Sequence, residues 1–312
     1  MSPSDAPAAA RPGLLETALW SLPPLAAGAM WGGAGCFVRI LAGAGLTSQT
    51  VLFARVSAGA LLLLAGMALC RPGLLKFHAD DLWLFAGSGV LGIVGLNLCY
   101  NEAVLAATLP LAAVLLNLAP VFVVVLAALF FKERPSLRTG LCCALALAGG
   151  ALAAGLADGA LNAANLSGVL FGLASALFFA LYGIFAKASA GSRGISVFTV
   201  LLYSQILASL AIAPFADIGL CLALIRDNPG PALAFACVHS ACTAVLPYAF
   251  YTSAMRRLDA GRVSMLAGAA EPLAAAAFGA MLYGEVLSPL AMAGALIAIL
   301  AVSLLFLPER KA

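Results

Sequence analysis

Ten apolar runs, each about as long as a bilayer's hydrocarbon core is thick, follow one another with barely a gap. They lie near 19–42, 49–70, 80–100, 108–131, 138–157, 165–188, 195–217, 230–252, 262–284 and 288–308. A membrane helix needs about 20 apolar residues. In lipid every backbone N–H and C=O must bond within the chain, so such runs have to be helices. The charge content agrees: 9% of the 312 residues are charged, against about 25% in soluble domains. Connectors are short and leave no room for a soluble domain. The first run is too long for a signal-peptide core and reads as a retained span behind a polar tail, residues 1–18. The expectation is an all-α membrane protein of ten transmembrane helices.

The basic residues set its direction. With the N-terminus placed in the cytoplasm, that side's connectors and ends carry Arg11, Arg71, Lys76, Lys132, Arg134, Arg138, Lys187, Arg193, Arg256, Arg257, Arg262, Arg310 and Lys311, thirteen in all. The opposite loops hold only Arg226, while Arg39 and Arg55 fall inside runs near that outer face. The positive-inside rule then makes both termini cytoplasmic. One missed or extra helix would scramble this bias.

The chain also repeats itself. "NLAPVFVVVLAALFFKERPS" (117–136) is echoed by "AAEPLAAAAFGAMLYGEVLS" (269–288), with Pro120 on Pro272, Glu133 on Glu285 and Ser136 on Ser288. Tyr100 pairs with Tyr251 and Trp31-Gly32 with Tyr182-Gly183, each 151 residues on. The runs therefore form two copies of one five-helix unit, 19–157 and 165–308. Five is odd, so the second copy enters the membrane from the opposite side, an inverted-topology repeat of the kind found in secondary transporters.

These motifs, with "YNEAV" and "YTSAM" at the ends of the third and eighth runs, resemble the EamA-type repeat of the drug/metabolite transporter superfamily over nearly the whole chain. The resemblance implies ten helices, a bacterial inner-membrane location and export of small metabolites. Such exporters include those of amino acids, aromatic ones among them (the YddG type). The second copy departs from the first where Glu271 precedes the proline and Ala119 does so earlier.

Polar groups in hydrocarbon are costly, so their positions are informative. Glu271 lies mid-run, on one helix face with Ser264 and Gly268. It reads as a cavity carboxylate that meets a substrate ammonium or carries a proton, or as a structural carboxylate tied to a neighbouring hydroxyl. Arg55 could hold a substrate carboxylate, pair with Glu102, or snorkel outward. Arg39 reads as interfacial. Asn97, Tyr100 and Asn101 share one face, as do Tyr248, Tyr251 and Thr252. Trp31 and Tyr182 lie mid-run and favour a cavity, whereas Tyr100 and Tyr251 near helix ends also suit an interfacial belt. Asn117 stands three residues before Pro120. His239 is either a proton switch or a neutral residue bonded to a neighbour. Glu133 and Glu285, at helix C-termini, read as turn locks on the amides of the following helix.

The substrate set is then Trp31, Arg55, Asn97, Tyr100, Asn101, Asn117, Tyr182, Tyr248, Tyr251 and Glu271, around a cavity bounded by runs 1, 3, 4, 6, 8 and 9. One carboxylate and one guanidinium among apolar walls suit a small zwitterion with an apolar or aromatic side chain, with protons as a further partner. An exporter of drugs, lipophilic cations or nucleobases is the alternative. No G-x-x-x-x-G-K-[ST] is present, so the chain carries no ATPase of its own. Two distant histidines and one deep carboxylate do not make the acid–base or metal cluster of a membrane enzyme. The eight cysteines form no C-x-x-C and read as small packing residues. Neither cofactor nor nucleic acid is expected, and the chain is read as a monomer or weak homodimer.

Overall fold

A computed structural model describes residues 14–131, 135–156, 163–193, 195–254, 257–258 and 260–307. Most of the tail and Glu133 lie outside these residues. Among them every regular element is helical. Eight helices are long and apolar enough to cross a membrane. They are α1 (Ala18–Gly43), α2 (Ser48–Cys70), α3 (Ala79–Ala106), α4 (Leu109–Leu126), α6 (Leu166–Phe185), α7 (Val197–Phe215), α8 (Pro229–Ala254) and α9 (Arg262–Tyr283). The fifth and tenth runs form shorter apolar helices, α5 (Leu137–Ala153) and α10 (Pro289–Leu305), of 17 residues each. At 1.5 Å per residue these are only about 25 Å long, so ten spans of equal reach give way to eight long helices and two short ones.

The caps explain part of the repeat. The Ser136 hydroxyl accepts the Thr139 N–H at 3.1 Å, and the Ser288 hydroxyl accepts the Ala291 N–H at 3.1 Å. The repeated serine thus starts α5 in one copy and α10 in the other, satisfying a donor that the first helical turn leaves orphaned. Those two helices lie side by side through glycine. A Cβ on Gly149 would fall 2.6 Å from the Gly294 carbonyl oxygen, so only a bare backbone fits. The α1–α9 contact is built the same way: Cβ atoms on Gly28 and Gly32 would fall 2.8 Å from the Ala270 Cβ and 2.9 Å from the Ala274 Cβ.

Several helices are irregular where they pass the middle of the bundle. α1 is interrupted at Gly33, and α4 at Asn117 and Leu118, just ahead of Pro120. α3 widens into a π-helical stretch over Gly87–Val94, and α8 does so over Ala241–Val245. Residues 241–245 stand 151 positions after 90–94, so this irregularity repeats. Such widened turns leave backbone groups available and are frequent at functional sites. One element went unforeseen: between α7 and α8, Ile218–Asp227 forms a short helix, started by the Asp217 carboxylate on the Leu220 N–H at 2.8 Å.

Candidate functional site

The irregular turns surround one cavity. Its lining is Trp31 and Ala34 from α1, Arg55 from α2, Leu96, Asn97 and Tyr100 from α3, Leu116 from α4, Phe179 from α6, Thr243 and Tyr248 from α8, and Glu271 from α9. It holds about 510 Å³ of empty space, counting the part open to solvent. The six runs expected to bound it all contribute, and α2 joins them through Arg55.

Glu271 is 8% exposed, and the Asn117 side chain lies close to its carboxylate. The Asn117 amide donates to the Ala113 carbonyl at 3.1 Å. Asn117 is thus held at the α4 interruption and faces Glu271 from the other repeat. Arg55 does not pair with Glu102, which accepts a 2.5 Å bond from Ser48 instead. Among the described residues Arg55 has no ion pair, and its Nε lacks any partner. Tyr100, 4% exposed, likewise has a hydroxyl with no partner, so an interfacial-belt role does not apply to it.

Other expected site residues stand around this wall rather than in it. Tyr182 is buried, with its hydroxyl near that of Tyr248. Tyr251 bonds Ser264 at 2.5 Å and leans on Trp31, ring centroids 5.8 Å apart. Trp31 also meets Tyr248 edge-on at 5.2 Å. Asn101 turns away, donating to the Ser48 carbonyl at 3.3 Å. His239 is buried against Phe37, rings stacked at 4.8 Å, with no partner on Nε2. Phe179 and Thr243 were missed. Phe179 was within reach, one helical turn from Tyr182 on the same face. Thr243 carries no such signal, because its place follows from the widened turn in α8.

Arg39, read as interfacial, has a partner: it pairs with Glu285 at 2.6 Å. Glu285 does not cap the helix that follows it. Its second oxygen accepts the Leu109 N–H at 2.9 Å, at the start of α4 in the other repeat.

The comparisons with known proteins fit a helical chain built as two copies of one unit. The family model for EamA-like transporters matches twice, over residues 18–155 and 166–307. The chain belongs to the EamA-like transporter family. This EamA-like protein is accordingly a membrane transporter of small molecules, a non-enzymatic role. No curated protein matches it. Among the solved structures it resembles is one described as "Crystal structure of protein", 16% identical, covering 92% of this chain and 96% of that one with a TM-score of 0.59. At that identity the likeness concerns the fold alone.

Proposed function

We propose that this EamA-like transporter exports hydrophobic or aromatic amino acids by alternating access through the cavity. It would sit in a bacterial inner membrane, with both termini cytoplasmic and units 19–157 and 165–308 arranged as an inverted repeat of ten spans. The observation that carries the substrate class is the pair of unneutralised charges. Arg55 and Glu271 line the same cavity, and neither has an ion-pair partner among the described residues. A buried charge without a partner is expensive. A zwitterion relieves both costs at once, its carboxylate at Arg55 and its ammonium at Glu271. Between them Trp31, Leu96, Leu116 and Phe179 offer apolar surface to a side chain. Sugar phosphates and nucleotides would need several cations in the wall, and the lining holds one.

Liposomes carrying the purified protein and loaded with labelled Phe, Leu, Met or Thr test this. Exchange with unlabelled amino acid outside is the expected result. If all four stay trapped while a lipophilic cation or a nucleobase passes, the drug or metabolite exporter reading replaces it.

A further inference from the structure

The same helices that line the cavity are tied together between about one and four turns beyond it. From Ala34, α1 continues to Arg39. From Tyr100, α3 continues to Val104. From Leu116, α4 runs back to Leu109, and from Glu271, α9 continues to Tyr283 and Glu285. At this level Arg39 pairs with Glu285 at 2.6 Å and donates to the carbonyls of Val104 at 2.9 Å and Ala107 at 3.3 Å. Its guanidinium also lies over the Tyr283 ring, 4.7 Å from the centroid. Tyr283 in turn donates its hydroxyl to the Cys36 carbonyl at 3.3 Å, and Glu285 holds the first amide of α4.

We propose that this Arg39–Glu285 cluster is the gate at the outer end of the transport path, closed in this structure. Three features support a gate over a permanent brace. First, it crosses between repeats: Arg39, the α3 carbonyls and the α4 amide belong to the first, Glu285 and Tyr283 to the second. Any rocking that parts α1 and α9 from α3 and α4 at this level must therefore break its bonds to the Val104 and Ala107 carbonyls and to the Leu109 amide. Second, the two side chains are 17% and 16% exposed. Water can replace their contacts on opening, so the pair avoids the penalty of a deeply buried charge left alone. Third, the sequence does not repeat it position for position. The residue 151 positions after Arg39 is Ala190, so the second copy has no cation at the equivalent place.

The test needs no substrate, so it stands apart from the amino acid reading. Ala34→Cys is placed in a background with the eight native cysteines replaced, and labelled with a membrane-impermeant thiol reagent in right-side-out and inside-out vesicles. Arg39→Gln and Glu285→Gln should each raise labelling from the outer face roughly tenfold, a change equivalent to about 1.4 kcal/mol in the open–closed balance. Glu285→Asp keeps the charge but is too short to hold both Arg39 and the Leu109 amide, and should give a smaller rise even if a neutralised variant folds poorly. The exchanged pair Arg39→Glu with Glu285→Arg should bring labelling back toward the parent. Unchanged labelling in folded Glu285→Asp and Glu285→Gln protein would overturn the proposal, as would a rise seen only in inside-out vesicles.

Discussion

At the residue scale the proposed site rests on Arg55 and Glu271, neither of which has an ion-pair partner among the described residues. Hydrogen bonds to charged groups contribute about 1.5–3 kcal/mol, so removing one end of a zwitterion clamp should slow transport by roughly tenfold to a hundredfold. Glu271→Gln keeps the shape and the contact with Asn117, so folded yield should hold while uptake per milligram falls. Arg55→Gln should do the same through the carboxylate end. Normal transport in Glu271→Gln, with loss only in Arg55→Gln, would show that the wrong charge had been chosen. Both residues were legible as charges inside apolar runs, because hydrocarbon makes such positions costly. Glu285 was legible as a repeated glutamate, but its partner was not. Arg39 and Glu285 are 246 positions apart in the sequence, and no local pattern says that α1 and α9 end side by side.

At the element scale, length and apolarity were enough to place the runs. The repeat pairs Gly32 with Gly183 but does not say which of the two is under pressure. Gly32 faces the backbone of α9, whereas its counterpart Gly183 has no atom within 4 Å of a would-be Cβ. Gly32→Ala should therefore cost about 1–3 kcal/mol through overpacking. Gly183→Ala should be neutral or gain up to about 1 kcal/mol, because a helical glycine carries an entropic cost and nothing opposes the methyl. Thermal unfolding of the two variants in detergent, followed by circular dichroism, makes the comparison within one chain. Equal midpoints would contradict the close α1–α9 approach. The interruptions at Gly33 and Asn117 were only half legible. Pro120 signals a break near 117, yet Pro272 at the repeated position sits inside an unbroken helix. Proline permits a break; the packing around it decides whether one opens.

At the scale of the whole molecule, that inequality between halves has a physical meaning. Two copies of one sequence pattern hold different shapes: α1 and α4 are interrupted, while α6 and α9 run through. A symmetric pair locked in one shape would show the same breaks twice. A pair that trades shapes as it turns from one face to the other shows them once, and which copy carries them depends on the state. This reasoning requires the copies to be inverted, which the loop charges argue and which a direct experiment decides. The connector at Gly45 follows α1, and the connector at Ile195 follows its counterpart α6. In an inverted repeat these equivalent connectors lie on opposite faces; in a parallel repeat they share one. An epitope inserted at Gly45 should be detected on intact spheroplasts, and one at Ile195 only after permeabilisation. A reporter fused after Ala312 should be active only in the cytoplasm, since thirteen basic residues line that side and one lines the other. Detection of both epitopes on the same face would leave the repeat parallel, and the exchange of shapes between halves would lose its basis.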